Sequence, residues 1–201
     1  MEIRRWITKD FPVVTKGALV REVLNKMRMF SVDSCLVVDE GGHFMGIVHK
    51  NDLSSLDLEE PVDSVVFLPD FYVHESEEII HALLFFLENQ EPYLPVIDDE
   101  MKLKGVVSLH DFLEAMVEAL AMDSPGIRIH LSLEDRPGAL KRVVDVLAEN
   151  SLNILSVITL RRRDKERDVV IKVDARDKNT IEELLKSYGI RYEKLIEEEG
   201  F

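Results

Sequence analysis

Two short runs in this 201-residue chain place a polar donor three residues before a carboxylate: Ser108 before Asp111, and His49 before Asp52. Each follows a glycine and two apolar residues, Gly105-Val106-Val107 and Gly46-Ile47-Val48. A carboxylate can accept both donors of a cis-diol, and hydrogen bonds to a charged group contribute ~1.5–3 kcal/mol. A hydroxyl beside free helix N–H groups suits a phosphate. Together these are groups for holding a ribose and its phosphate. Ser108 with Asp111 is the better pair, with Leu94 and Pro95 along the edge of a base. Asp52 could hold a second ribose, and His49 could donate to phosphate when protonated or simply fill the pocket. The alternative is local: Ser108 caps a helix, and Asp52 and Asp111 are first-turn carboxylates favoured by the helix dipole.

A second constellation is Asp135-Arg136-Pro137-Gly138-Ala139-Leu140. Gly138 lets a backbone approach closely, and a helix opening there favours an anion. The run also explains itself as a strand-to-helix turn, with Pro137 in the first helical turn and Asp135 accepting from free N–H groups. Other chemistry is sparse. Cys35 is the single cysteine, inside the apolar run Cys35-Leu36-Val37-Val38, and reads as a small buried hydrophobe. The histidines at 43, 49, 74, 81, 110 and 130 lack zinc-type spacing, so no metal is expected. Arg161-Arg162-Arg163-Asp164-Lys165-Glu166-Arg167 reads as a solvated hairpin tip. No P-loop or nucleophile–base pair is present, which argues against an enzyme; a nucleotide-acting rival would have only His49 or His110 as its base.

The elements that must position these residues repeat. A shift of 59 residues brings Val37 onto Val96, Asp39 onto Asp98, Gly46 onto Gly105, Val48 onto Val107 and Asp52 onto Asp111. Each copy reads as an extended entry (Val13-Val14-Thr15; Phe71-Tyr72-Val73), a helix, two apolar strands and a final helix from near Asn51 or His110. A unit of about 55 to 60 residues buries little core, so the two copies should pack together. From Gly126 the pattern changes to a half-buried strand, a helix with its buried face at Val143, Val144 and Leu147, two strands around the charged hairpin, a helix opened by Asp177, and a closing strand. The order is βαββαβ, a ferredoxin-like arrangement.

The repeats resemble a pair of CBS domains, a Bateman module, over roughly residues 1–120. The signature Gly105-Val106-Val107-Ser108-Leu109-His110-Asp111-Phe112 fits at every position, whereas the first copy carries His49 where the family has a hydroxyl. The resemblance implies an adenine nucleotide or adenosyl compound in the cleft, its ribose on the carboxylate and its phosphate facing the hydroxyl. Residues 126–201 resemble an ACT domain, in which an amino-acid effector would sit between two copies. Asp135, Arg136, Pro137, Gly138, Ala139 and Leu140 would then lie on one side, with Asn153 and Ile154 across the interface. The fold class expected is α+β: CBS-type units at 1–60 and 61–122, then the ferredoxin-like ACT-type domain at 123–201. CBS pairs followed by one ACT domain resemble acetoin-utilisation-type proteins. Both resemblances imply a homodimer and a regulatory, non-catalytic role without a cofactor. The rival is an interaction protein with vestigial pockets that docks a partner enzyme.

Charge narrows the ligand. The formal net charge is −14, of which residues 1–120 carry −13 and residues 121–201 carry −1. That balance argues against nucleic acid and against an anionic membrane surface. In the first module it favours adenosine, AMP or an S-adenosyl compound over a triphosphate. The lone cysteine, and the lack of an apolar signal segment in residues 1–10, make the cytoplasm the expected compartment.

Overall fold

The computed structural model describes residues 1–68, 71–89, 92–162 and 165–200. Arg163 and Asp164 of the charged hairpin therefore lie outside the described residues. The chain divides into two compact units, 1–115 and 116–201.

In the first unit both repeats build the same small sheet. Repeat one runs β1 (Val13–Thr15), α1 (Val20–Phe30), β2 (Ser34–Val38) and β3 (Phe44–His49). Repeat two runs β4 (Val73–His74), α2 (Ile79–Asn89), β5 (Tyr93–Ile97), β6 (Leu103–Ser108) and α3 (Leu109–Ala119). In each, the entry strand pairs parallel to the middle strand, and the middle strand pairs antiparallel to the last. Val37 faces Gly46 and Val96 faces Gly105, with a register irregularity just after each valine. The turns agree as well. Asp39 Oδ1 accepts from the N–H groups of Gly41 and His43, and Asp98 Oδ1 from those of Glu100 and Lys102. Donation from the His43 and Lys102 backbones holds these two carboxyls below their ordinary pKa.

The repeats are joined by exchanged arms. Residues 2–8 lie against repeat two: Ile3 N–H donates to Glu77 O at 2.8 Å, and Thr8 and Val106 exchange two backbone hydrogen bonds of 2.9 Å. The segment before repeat two lies in the same way against repeat one, where Phe67 and Ile47 exchange bonds of 2.9 and 3.2 Å. Adding 59 to Thr8 gives Phe67, and subtracting it from Val106 gives Ile47, so the two contacts are one contact repeated. The bridges Glu2↔Glu78 and Leu19↔Pro61 correspond likewise. His43 and Lys102, themselves 59 apart, pair with each other, which places a pseudo-two-fold axis between them. Gly46 and Gly105 follow from this crossing. A Cβ on Gly105 would stand 2.3 Å from Thr8 O, and one on Gly46 2.3 Å from Phe67 O, so only glycine lets the arm cross the strand.

The end of repeat one departs from the sequence expectation. Its final helix is a single 3-10 turn, Asp52–Ser55, where repeat two forms the 11-residue α3. The Ser54 and Ser55 hydroxyls donate back to the carbonyls of Asn51 and Asp52, competing with helical bonding where α3 has Leu113 and Glu114.

The second unit contains β7 (Gly126–Glu134), α4 (Lys141–Glu149), β8 (Ile154–Arg161), β9 (Glu166–Val173), α5 (Lys178–Ser187) and β10 (Lys194–Glu198). The sheet order β10-β7-β9-β8, antiparallel throughout, is the ferredoxin-like arrangement expected. Ile127, Ile129, Val169 and Ile171 pack with Val143 and Leu147 of α4 and Ile181 and Leu185 of α5 into one core. Asp177 caps α5, accepting from the N–H groups of Asn179 and Thr180. The start of α4 corrects the expectation. The helix opens at Lys141, not within Asp135–Leu140, and no side chain caps it. Gly138 takes φ +84°, which breaks helical continuity, and the Asp135 carboxylate is drawn away to the Arg167 guanidinium at 3.0 Å.

Candidate functional sites

The Ser108 and Asp111 side chains meet at the start of α3. The Ser108 backbone N–H and hydroxyl both donate to Asp111 Oδ2, at 2.7 and 2.6 Å, and the Asp111 N–H donates to Ser108 Oγ at 3.1 Å. This reciprocal cap satisfies orphan donors of the helix end. Both residues are half-buried. Among the described residues Asp111 Oδ1 makes no hydrogen bond, so one carboxylate oxygen remains for an outside donor. Register sets Tyr93 opposite Ser108, Leu94 opposite Val107 and Pro95 opposite Val106. Leu94 and Pro95 are buried. Phe11 packs its ring 4.7 Å from that of Tyr93, so the arm of repeat one reaches this end of β6.

A cavity of 390 Å³ opens between the repeats. The sequence reading names several of its lining residues as strand positions, but none of them as ligand contacts. Leu36 and Val38 of β2 face Leu103–Val106 of β6, and the segment from the arm into β1 contributes Lys9, Phe11 and Val13. Its walls are apolar, with Lys9 and Lys104 as the charged lining residues. The signal that could have found them is the repeat itself, because the arm residues around Lys9 correspond to the residues just after the Phe67 crossing. Lys104 also approaches Asp98 at 3.5 Å.

The equivalent end of repeat one is arranged differently. His49 stacks on Phe67 with centroids 5.8 Å apart and planes at 29°, so its ring is occupied by an aromatic contact. Asp52 is exposed on the 3-10 turn. His110 is exposed and approaches Glu114 at 3.2 Å. Cys35 is fully buried, and burial pushes its thiol up to about 12, which leaves no thiolate for catalysis.

In the second unit, Arg136, Pro137 and Gly138 are exposed on the loop, and Ala139 and Leu140 are half-buried. Asn153 is exposed and Ile154 half-buried at the start of the edge strand β8. A polar cluster that the sequence reading misses lies on the sheet face away from the helices. Lys172 is fully buried, and its ammonium donates to Glu198 Oε2 at 2.6 Å and to Ala121 O at 2.7 Å. Arg128 makes two bonds to Glu198, at 2.7 and 2.9 Å. Hydrogen bonding from Arg128, assisted by Lys172, takes the Glu198 carboxyl down to about 2. This cluster is structural: it ties residues 120 and 121 to three strands.

The CBS domain family matches residues 2–59 and 62–118, and the ACT domain family matches residues 127–189. The chain belongs to the CBS-domain family and carries two CBS domains followed by an ACT domain. A crystal structure of a CBS domain pair/ACT domain protein from Thermotoga maritima is 58% identical, with a TM-score of 0.57 over 60% of this chain and 99% of that one. The cytosolic domain of the Mg2+ channel MgtE, solved in complex with ATP, is 26% identical, with a TM-score of 0.52 over 57% of this chain and 48% of that one. The inosine-5'-monophosphate dehydrogenase of Methanocaldococcus jannaschii is 29% identical over 109 residues, 54% of this chain but 22% of the enzyme. The matched region is thus a small part of that enzyme.

Proposed function

We propose that the chain is a non-catalytic regulatory protein that senses an adenosyl ligand (AMP, adenosine or an S-adenosyl compound) in the cleft of its CBS pair. The observation that carries this is the Ser108–Asp111 pair, with one carboxylate oxygen unengaged, on the same strand end as Leu103–Val106, which line an apolar cleft with Lys9 and Lys104; Ser108 and Asp111 do not themselves line it. The carboxylate would take the ribose hydroxyls, and the two lysines would supply cationic partners for a phosphate within residues 1–120, of net −13. The ATP complex of the related MgtE domain supports an adenine nucleotide as the ligand class. Binding regulates only if it differs between two conformations or two partner states.

A homodimer fits an asymmetry between the repeats. Ile80, Leu84 and Leu87 of α2 and Leu109 and Leu113 of α3 are 43–68% exposed. The positions 59 residues earlier are Arg21, Asn25, Arg28, Lys50 and Ser54. Exposed apolar side chains of this kind favour a contact surface, and their repeat-one equivalents are polar. A self-complementary pairing of repeat two with repeat two covers this surface in both copies. The ACT domain would add an amino-acid site at its own dimer interface, between the 135–140 loop and Asn153 with Ile154 of the second copy. The rival scaffold reading draws on the reciprocal bonding of Ser108 and Asp111, which already gives both residues a helix-capping task.

Calorimetric titration of the full chain with AMP and S-adenosylmethionine tests the proposal. Asp111→Ala should weaken binding about 10- to 100-fold, the equivalent of one or two charge-assisted hydrogen bonds. Unchanged affinity in that variant overturns the placement of the ribose. Absence of binding by any adenosyl compound favours the scaffold reading.

A further inference from the structure

A second cavity, of 260 Å³, lies within one copy of the ACT domain. It is walled by the end of β7, the first turns of α4 and the turn after α5. Three guanidiniums line it: Arg136 from the loop, Arg142 from α4 and Arg191 from the turn. The one carboxylate among its lining residues, Glu134, is paired with Arg136. Arg142 is held in place by donating to Tyr188 O at 2.6 Å. Arg191 makes no ion pair or hydrogen bond among the described residues. Gly189, at φ +65°, forms the turn that presents Arg191, and a Cβ there would reach to 3.9 Å from Arg142 Nη2.

This concentration of cations lies in a segment, residues 121–201, of net charge −1. The lining carries net +2, whereas another cavity of this unit is lined by Glu197, Glu198 and Glu199 with a single arginine, Arg176. Three like charges around one concavity repel each other, and an anion placed among them removes that repulsion while accepting from planar guanidinium forks. Asp135, the carboxylate nearest in sequence that could have served internally, is engaged by Arg167 instead.

We infer that this cavity is a binding site for a small anion carrying at least two negative charges, held by Arg136, Arg142 and Arg191 of a single chain. Carboxylate and phosphoryl anions share the chemistry that three guanidiniums recognise, and net +2 selects a dianion over a zwitterion. The site is independent of the nucleotide cleft; it shares Arg136 and Ala139 with the loop of the proposed amino-acid site but differs from it in using Arg142 and Arg191 of the same chain and no residue from a second copy.

The test is calorimetric titration of the full chain with inorganic pyrophosphate, with malonate and with glycine, at matched ionic strength. Pyrophosphate, malonate or both should bind, and the one that does identifies the phosphoryl or carboxylate source; glycine should not bind. Arg191→Gln should weaken binding at least tenfold, and Arg191→Lys should recover part of it. Asp111→Ala and Arg161→Gln should leave it unchanged. The far-ultraviolet circular dichroism of each variant checks that it is folded. Three results overturn the inference: no binding of either dianion at millimolar concentration, equal losses in Arg161→Gln and Arg191→Gln, or loss in Asp111→Ala with retention in Arg191→Gln. The last would move the anion to the CBS cleft.

Discussion

Replacing Glu198 by glutamine should destabilise the ACT unit at neutral pH and remove an acid-sensitive part of its stability. Glu198 accepts three charge-assisted hydrogen bonds from two residues: Arg128 on β7 makes two, and Lys172 on β9 makes one. Its side chain is 27% exposed, Arg128 is 11% exposed and Lys172 is wholly buried, so solvent screens the cluster little. The carboxyl falls from 4.5 to about 2 in the folded chain, a difference worth about 3 kcal/mol. Because the folded pKa is depressed, this stabilisation is fully present above the unfolded value of 4.5 and is lost as pH falls toward 2. Glu198→Gln also leaves Lys172 with Ala121 O as its remaining partner, a buried cation without a counter-ion. Urea denaturation of the full chain at pH 7.5 and pH 3, with hydrogen exchange read on β7 and β9, measures the effect in this unit. At pH 7.5 the variant should lose about 3 kcal/mol relative to the native chain, and at pH 3 the gap should narrow markedly. Parallel stability profiles, or a loss under about 0.5 kcal/mol at pH 7.5, would refute the reasoning.

Gly105→Ala sets a methyl 2.3 Å from the Thr8 carbonyl and should cost about 1–3 kcal/mol, read as a fall in the urea midpoint of the CBS unit. Ser108→Ala removes a helix cap and should destabilise by about 1 kcal/mol in the same measurement, even without ligand. Leu84→Glu on the exposed face of α2 should shift a dimer to monomer in light scattering, whereas Asn25→Glu, its repeat-one equivalent, should not. Cys35 should resist thiol reagents at pH 8 in the folded chain and react once urea unfolds it.

Much of the architecture is legible because hydrophobic pattern and repetition carry it. The 59-residue shift aligns the strands, the turn aspartates and the crossing glycines, and the alternation in Ile127, Ile129 and Leu131 marks β7. The missed features are those in which a distant partner decides. Lys172 and Arg128 occupy alternating strand positions that read as solvent-facing, and only the sheet order and register, which set Arg128 opposite Lys172 with β10 beside β7, bring Glu198 to both. Asp135 looks like a helix cap until Arg167, 32 residues away, claims it. The two serines after Asp52 carried a local warning that the repeat-one helix would stop. At the candidate site, Ser108 and Asp111 are visible from spacing alone, whereas Lys9 enters the cleft because an arm crosses between repeats.

That crossing also sets an order of events during synthesis. Residues 2–8 have no strand to join until Val106 has left the ribosome, about 100 residues later. At roughly 5–20 residues per second the amino-terminal arm waits about 5–20 s beside an incomplete partner. Throughout that interval repeat one has no place for its own arm. Each half is therefore the other's template, and a newly made first repeat that met a second repeat from another chain would offer it the same contacts.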